Sequence, residues 1–215
     1  MTRKTQIILI RLAFLILFLA VIASGKMVLW LALFALTLPA AILFGRLYCG
    51  YACPMNTVMV AADALARKSK GKRRETPAWL KQSWIPWLIL AVSVAVLLGS
   101  KRLLRVNVPL LPFFVLLSFV LTLFFKPEVF HHFICPFGAL QRLFGRWSMR
   151  SHHVQADACI GCKKCEKVCP NLAVRVDAQT RKAVIRPADC LQCQNCVQVC
   201  PTKAIAYQRV ENGSH

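Results

Sequence analysis

The chain has 215 residues, 57% of them hydrophobic, with a mean hydropathy of +0.53 and a formal net charge of +20 from 28 Lys and Arg against 8 Asp and Glu. A soluble domain is nearer ~45–50% apolar, so the excess points to a membrane. The positive charge reads as membrane topology, because Lys and Arg collect in cytoplasmic loops and against anionic lipid heads. It excludes nucleic acid as a partner, since no basic face interleaved with stacking aromatics lies outside the apolar runs.

In chain order, a short basic start, residues 1–6, precedes an apolar run from Ile7 to Ala23. Its one charge, Arg11, lies near the end of the run and is expected to snorkel. Small residues at Ala23-Ser24 fit a signal peptide; an uncleaved signal-anchor helix is the preferred reading, and cleavage would not alter the orientation of the later segments. Met27 to Phe44 is a second run, whose 18 residues span roughly 27 Å as a helix, close to the bilayer core. Residues 55–66 read as a short amphipathic helix, and Arg67–Arg74 as a solvated loop that sets topology. Trp79, Trp84 and Trp87 form an interfacial belt at the entry to a third span, Trp84 to Ser100, with Pro86 tolerated in its first turn. Val108 to Phe125 is a fourth span, with Pro109 and Pro112 near its start. Residues 139–150 carry Leu140, Leu143, Phe144 and Trp147 and read as an interfacial helix. Ser151 to Ala156 reads as a linker in which His152 and His153 are solvated, and a polar tail begins at Gln208.

The Lys and Arg balance sets orientation. Arg3, Lys4, Arg46, the 67–74 run, Lys81, Lys126, Arg142, Arg146 and Arg150 fall on one side, and Lys26, Lys101, Arg102 and Arg105 on the other. The heavier side is expected to be cytoplasmic, with both termini there. The expected architecture is an α-helical membrane domain of four transmembrane helices over residues 1–150, followed by a second domain over 151–215.

Eight of the eleven cysteines lie in that second domain. They read Cys159-x2-Cys162-x2-Cys165-x3-Cys169-Pro170 and Cys190-x2-Cys193-x2-Cys196-x3-Cys200-Pro201, two copies offset by 31 residues. Three cysteines at this spacing can wrap one cubane cluster, and the Pro turns the chain away. Zinc prefers two C-x2-C pairs or Cys/His sets without the x3-C-P tail, and disulfides need an oxidising compartment. The run resembles that of bacterial ferredoxins, in which the fourth Cys ligates the other cluster. That resemblance implies an α+β 2[4Fe–4S] ferredoxin domain, with Cys159, Cys162, Cys165 and Cys200 on one cluster and Cys190, Cys193, Cys196 and Cys169 on the other. The Ala173-Val174 and Ala204-Ile205 pairs keep the same offset.

The remaining cysteines are Cys49, Cys53 and Cys135, the last two each followed by Pro. With the run Gly45-Arg46-Leu47-Tyr48-Cys49-Gly50-Tyr51-Ala52-Cys53-Pro54, the segment Cys135-Pro136-Phe137-Gly138-Ala139-Leu140 and the eight-cysteine block, the chain resembles the membrane-bound polyferredoxins. That family includes NapH-, NosR-, MauN- and CcoG-type proteins, and the layout is nearest the NapH-type quinol dehydrogenase subunits. The resemblance implies two C-x3-C-P motifs at the cytoplasmic face of the bacterial inner membrane and electron exchange with the quinone pool. This chain departs once, with His131 where the first Cys of the second motif would stand. For Cys49, Cys53, His131 and Cys135, three readings stay open: apolar packing at helix ends, a third metal or cluster site, or a redox-active Cys49–Cys53 pair made neighbours by helical spacing.

The expected function is that of a multi-pass electron-transfer protein between the quinone pool and a redox partner, through two [4Fe–4S] clusters. The quinone is expected near Arg46, Tyr48, Trp84, His131 and His132, and the mildly basic second domain suits an acidic partner. A copper-reducing accessory protein for assembly of a respiratory enzyme is the alternative, with Cys49, Cys53 and Cys135 as metal contacts; a purely structural anchor is a third. The apolar runs hold no His, which removes the bis-imidazole pair a b-type haem needs.

Overall fold

The computed structural model describes residues 3–68, 73–100, 102 and 108–210. The expected loop residues 69–72, the cations Lys101 and Arg105, and the end of the polar tail from 211 lie outside them. The chain divides into two units, one of residues 1–53 with 140–215 and one of residues 54–139.

The first unit begins with α1 (Arg3–Ala23) and α2 (Met27–Phe44). Gly25 stops α1 with φ 72° and an amide bonded to the Ile22 carbonyl, a turn that only a residue without Cβ adopts at no cost. Gly45 ends α2 in the same left-handed half of φ, its amide on the Ala41 carbonyl. The two helices meet through aromatics. Phe18 sits edge-on to Trp30 at 5.0 Å, Phe34 to Tyr48 at 5.1 Å, and Trp30 Nε1 donates to the Tyr48 hydroxyl at 2.9 Å.

After α2 the chain makes one π-helical turn, Tyr48–Ala52, closed by the Cys53 amide on the Tyr48 carbonyl. Cys53 is extended, with ψ 119°, because a residue before Pro is driven out of the α region. Arg11 is buried, at 7% exposure, and its Nε donates to the Gly50 carbonyl at 2.9 Å. It does not snorkel as its position in the run suggested. The wide turn leaves that carbonyl for it, and the hydrogen bond offsets part of the cost of burying the guanidinium.

The rest of the unit is an α+β ferredoxin. Strand β1 (Arg150–Val154) pairs antiparallel with β4 (Ile205–Arg209), and β2 (Val174–Val176) with β3 (Ala183–Ile185). The core gathers Ala173, Val174, Ala183, Ile185 and Ile205 with Cys165, Cys190 and Cys196. The 31-residue repeat is written in the backbone. Gly161 and Gln192, Lys163 and Gln194, and Leu172 and Lys203 are three equivalent pairs, all left-handed with φ between 54° and 66°. The expected linker at 151–156 is instead mostly β1, and His152 is 4% exposed rather than solvated. Pairing with β4 supplies the order that a polar Ser-His-His stretch does not announce. The β1 end is tied to α2 by the Met149 amide on the Ile42 carbonyl and the Tyr207 hydroxyl on the Phe44 carbonyl.

In the second unit α3 (Pro54–Lys68) packs on α5 (Leu110–Phe124), and α4 (Ile85–Gly99) on a second π-helical turn, Val129–Ile134. Asp63 holds Arg67 and Arg73, and Phe114 lies edge-on to Phe137. A further helix, α6 (Pro136–Gly145), follows Cys135.

Among the described residues two helices, α1 and α2, are long and apolar enough to cross a membrane, not the four expected. Helices α4 and α5 have 15 residues each, about 22 Å at 1.5 Å per residue, short of a hydrocarbon core of about 30 Å. The cause lies at the helix ends. Pro86 and Pro109 set where α4 and α5 can start, and Phe125 leaves the helix two residues before Pro127, whereas an apolar run is counted through such residues.

Candidate functional site

The eight ferredoxin cysteines fall into two pockets. Cys159, Cys162, Cys165 and Cys200 line one, and Cys169, Cys190, Cys193 and Cys196 the other. Each loop thus keeps three of its own cysteines and gives its fourth to its neighbour. The crossing follows from the repeat: each short helix that holds the third Cys, α7 (Lys164–Lys167) and α8 (Asn195–Val199), carries the fourth across to the other pocket. Four thiols around a cavity are the donor set of a cubane. Among the described residues no three Cys, His, Asp or Glu converge tightly enough for a single metal ion.

Backbone amides point at the sulfurs. The Ala183 amide donates to Cys159 Sγ at 3.4 Å and the Ala173 amide to Cys169 Sγ at 3.2 Å. In the loop of the first pocket Gly161 has φ 66°, and a Cβ there would stand 2.2 Å from the Arg181 carbonyl oxygen. Its counterpart Gln192 has a left-handed backbone but a buried, used side chain: its Nε2 donates to Ser151 Oγ at 2.9 Å, and its Oε1 meets His152 Nδ1 at 2.6 Å.

The pockets differ in exposure. Cys190, Cys193 and Cys196 are buried, and burial pushes the Cys190 thiol up to about 12 and raises Cys193 and Cys196 as well. In the other set Cys162 is exposed. Burial works upward on Cys200 too, but the Thr202 hydroxyl and the amides of Ala204, Thr202 and Lys203 outweigh it and bring that thiol below its ordinary range.

The buried pocket is the one that meets the end of α2 and the turn after it. A Cβ on Gly50 would stand 2.2 Å from the Leu191 carbonyl oxygen, and one on Gly45 would run into the Gln192 side chain. Gln194 Nε2 donates to the Tyr51 hydroxyl at 2.7 Å. Arg46, 1% exposed, donates to the Ala188 carbonyl at 3.3 Å and reaches Cys49 Sγ at 3.7 Å. Arg142 and Arg186 hold Asp189, next to Cys190. Gln192 and Gln194 carry no motif of their own, and the sequence places Arg11, Tyr51 and His152 without assigning them to this contact.

Of the other candidates, Cys49 and Cys53 belong to the first unit, and His131 and Cys135 to the second. Cys49 lies in the π-helical turn and Cys53 just beyond it in extended backbone. Tyr48 is buried and accepts the Trp30 bond, Trp84 is exposed at the start of α4, and His132 is packed edge-on to Phe133. His131 is 6% exposed and its Nε2 lies 3.2 Å from Asn56 Oδ1.

The 4Fe-4S dicluster domain family matches residues 158–204, and the 4Fe-4S binding domain family matches twice, at 27–73 and 107–153. A methylamine utilization ferredoxin-type protein, MauN of Paracoccus denitrificans, is 32% identical over 62% of this chain and 51% of its own. A putative electron transport protein, YccM of Escherichia coli, is 25% identical over 61% of this chain and 43% of its own. An uncharacterized protein of Methanocaldococcus jannaschii is 25% identical over 60% and 53%. The chain belongs to the polyferredoxin-type 4Fe-4S proteins.

This polyferredoxin spans about half the length of the curated relatives it matches. No solved structure matches it. The double match gives its chain an internal repeat beyond the ferredoxin: α2 and α5 each run into a π-helical turn, an extended Cys and a Pro that opens the next helix. Cys53 and Cys135 each close that turn with an amide bond of 2.8 Å, to Tyr48 and Phe130. The matched domains are thus of the 4Fe-4S cluster-binding, ferredoxin type.

Proposed function

We propose that the chain is a membrane-anchored electron-transfer subunit that exchanges electrons between the quinone pool and a redox partner, in the manner of NapH-type quinol dehydrogenase subunits. Two [4Fe–4S] clusters, held by Cys159, Cys162, Cys165 and Cys200 and by Cys190, Cys193, Cys196 and Cys169, would each supply one-electron transfer where a quinol gives two. The anchor is the α1–α2 hairpin in the bacterial inner membrane. The ferredoxin lies at the α2 end where Met149 and Tyr207 bind, the same end as Arg3, and the Lys and Arg balance makes that side cytoplasmic.

The observation that carries this reading is the seating of the buried pocket on the turn that follows α2, a helix of membrane length, through Gly50, Tyr51 and Arg46. A diffusible redox carrier at the ends of apolar helices is a lipid-soluble one, and quinone is that class. The chain's own residues set the conditions: Arg11 and Arg46 are buried positive charges at the contact, and Gln192 and His152 are buried there and bonded to each other. The test uses full-length protein reduced with dithionite in liposomes whose bilayer holds a long-chain quinone. The cluster EPR signals should be lost within the mixing experiment, and persist in quinone-free liposomes. Equal persistence in both would contradict the quinone reading.

A further inference from the structure

The two pockets face different surroundings, and the open one carries a basic rim. Ile160 is 66% exposed beside the pocket of Cys159, Cys162, Cys165 and Cys200, and Lys163 and Lys164 line it and are exposed. Arg181 is exposed and touches the same loop, since its carbonyl lies against Gly161. Lys203 is exposed next to Thr202, which also lines the pocket. The nearby acids are Asp157 and Asp177, exposed, and Glu166, half-buried; Lys182, half-buried, adds a fifth cation, its Nζ donating to the Cys159 carbonyl. Five cations against three acids leave a positive ring around an apolar tip and an exposed thiol. An apolar centre inside a charged rim is the layout of a transient docking face, and rim charge acts mainly on the rate of encounter.

We propose that this open pocket is the partner-side terminal of the relay: a soluble electron carrier with an acidic rim around its redox group docks on Ile160 and the Lys163, Lys164, Arg181 and Lys203 ring. The buried pocket of Cys190, Cys193, Cys196 and Cys169 is the membrane-side terminal. The assignment rests on the electron-transfer reading above and adds to it which end meets which partner. One electron leaves a reduced cluster as the carrier is reduced, or the reverse; no bond is made or broken.

The test compares the full-length protein with two charge-reversed variants, Lys163→Glu with Lys164→Glu, and Arg150→Glu with Arg209→Glu. The second pair faces each other at the far end of the β1–β4 sheet and makes the same change in net charge. The probes are ferricyanide, an anion, and hexaammineruthenium(III), a cation, each mixed with dithionite-reduced protein in stopped flow. Iron content and EPR signals are recorded first for each variant. The Lys163/Lys164 variant should be oxidised about ten-fold more slowly by ferricyanide and faster by the cation at low salt, the usual size of a steering effect. The Arg150/Arg209 variant should behave as the parent. Equal effects from the two variants, with both clusters intact, would overturn the docking face while leaving the electron-transfer reading untouched. Absence of clusters from the parent protein would overturn both. A neutral pair, Lys163→Gln with Lys164→Gln, should show roughly half the logarithmic effect, and no effect there would also count against the proposal.

Discussion

Gly161 and its partner in the repeat, Gln192, show how one backbone conformation admits two solutions. Gln192 accepts a left-handed φ because its side chain is used, by His152 and Ser151. Gly161 cannot be replaced, because a Cβ would meet the Arg181 carbonyl oxygen at 2.2 Å on a φ of 66°. Gly161→Ala should therefore empty the pocket of Cys159, Cys162, Cys165 and Cys200, and iron per chain should fall by about half. Unchanged iron would show that the loop yields. At Cys190, burial holds the thiol up to about 12, and a cluster needs the thiolate. Its proton is kept by the empty site through neutral pH and must leave on loading, so acid opposes loading and alkali favours it. Reconstitution with iron and sulfide should improve as pH rises from about 7 to about 9. A yield flat over that window would contradict the sign.

At the scale of elements, the π-helical turn Tyr48–Ala52 joins the apolar helices to the ferredoxin. Gly50 is its contact point, pressed on backbone that has no flexible end to give way. Gly50→Ala should lower the stability of the protein by about 1–3 kcal/mol, the usual cost of overpacking, read as a lower thermal midpoint in detergent. Gly99→Ala is the internal comparison: nothing lies within 4 Å of a Cβ there, and it sits in α4. That change should leave the midpoint unchanged or raise it slightly. A destabilisation as large as that of Gly50→Ala would contradict the overpacking at the turn. Tyr48→Phe removes the acceptor of the buried Trp30 N–H and should cost about 1–3 kcal/mol.

These elements also show what a sequence can carry. The cysteine repeat was legible because its meaning is local: three thiols at fixed spacing and a Pro. Strand β1 was not, because Ser-His-His has no alternating pattern, and its order comes from β4 some fifty residues away. Arg11 was misjudged for the same reason, since the carbonyl it binds belongs to Gly50. The span count erred where an apolar run was longer than the helix inside it, at Pro86 and Pro109.

At the largest scale, the two helices of membrane length among the described residues, α1 and α2, make a hairpin that brings the chain back to the side of Arg3. A reporter active only in the cytoplasm, fused after His215, should be active, because the ferredoxin is bound to the α2 end on that side. A fusion active only in the periplasm would reverse the orientation and remove the quinone-to-cytoplasm route with it. Whether the crossed thiol sets hold two cubanes is decided by iron analysis with EPR on anaerobically purified full-length protein. The expected result is about eight iron atoms per chain and, after reduction, signals of two [4Fe–4S] clusters close enough to interact. About four iron atoms per chain, or a [2Fe–2S] signature, would contradict it.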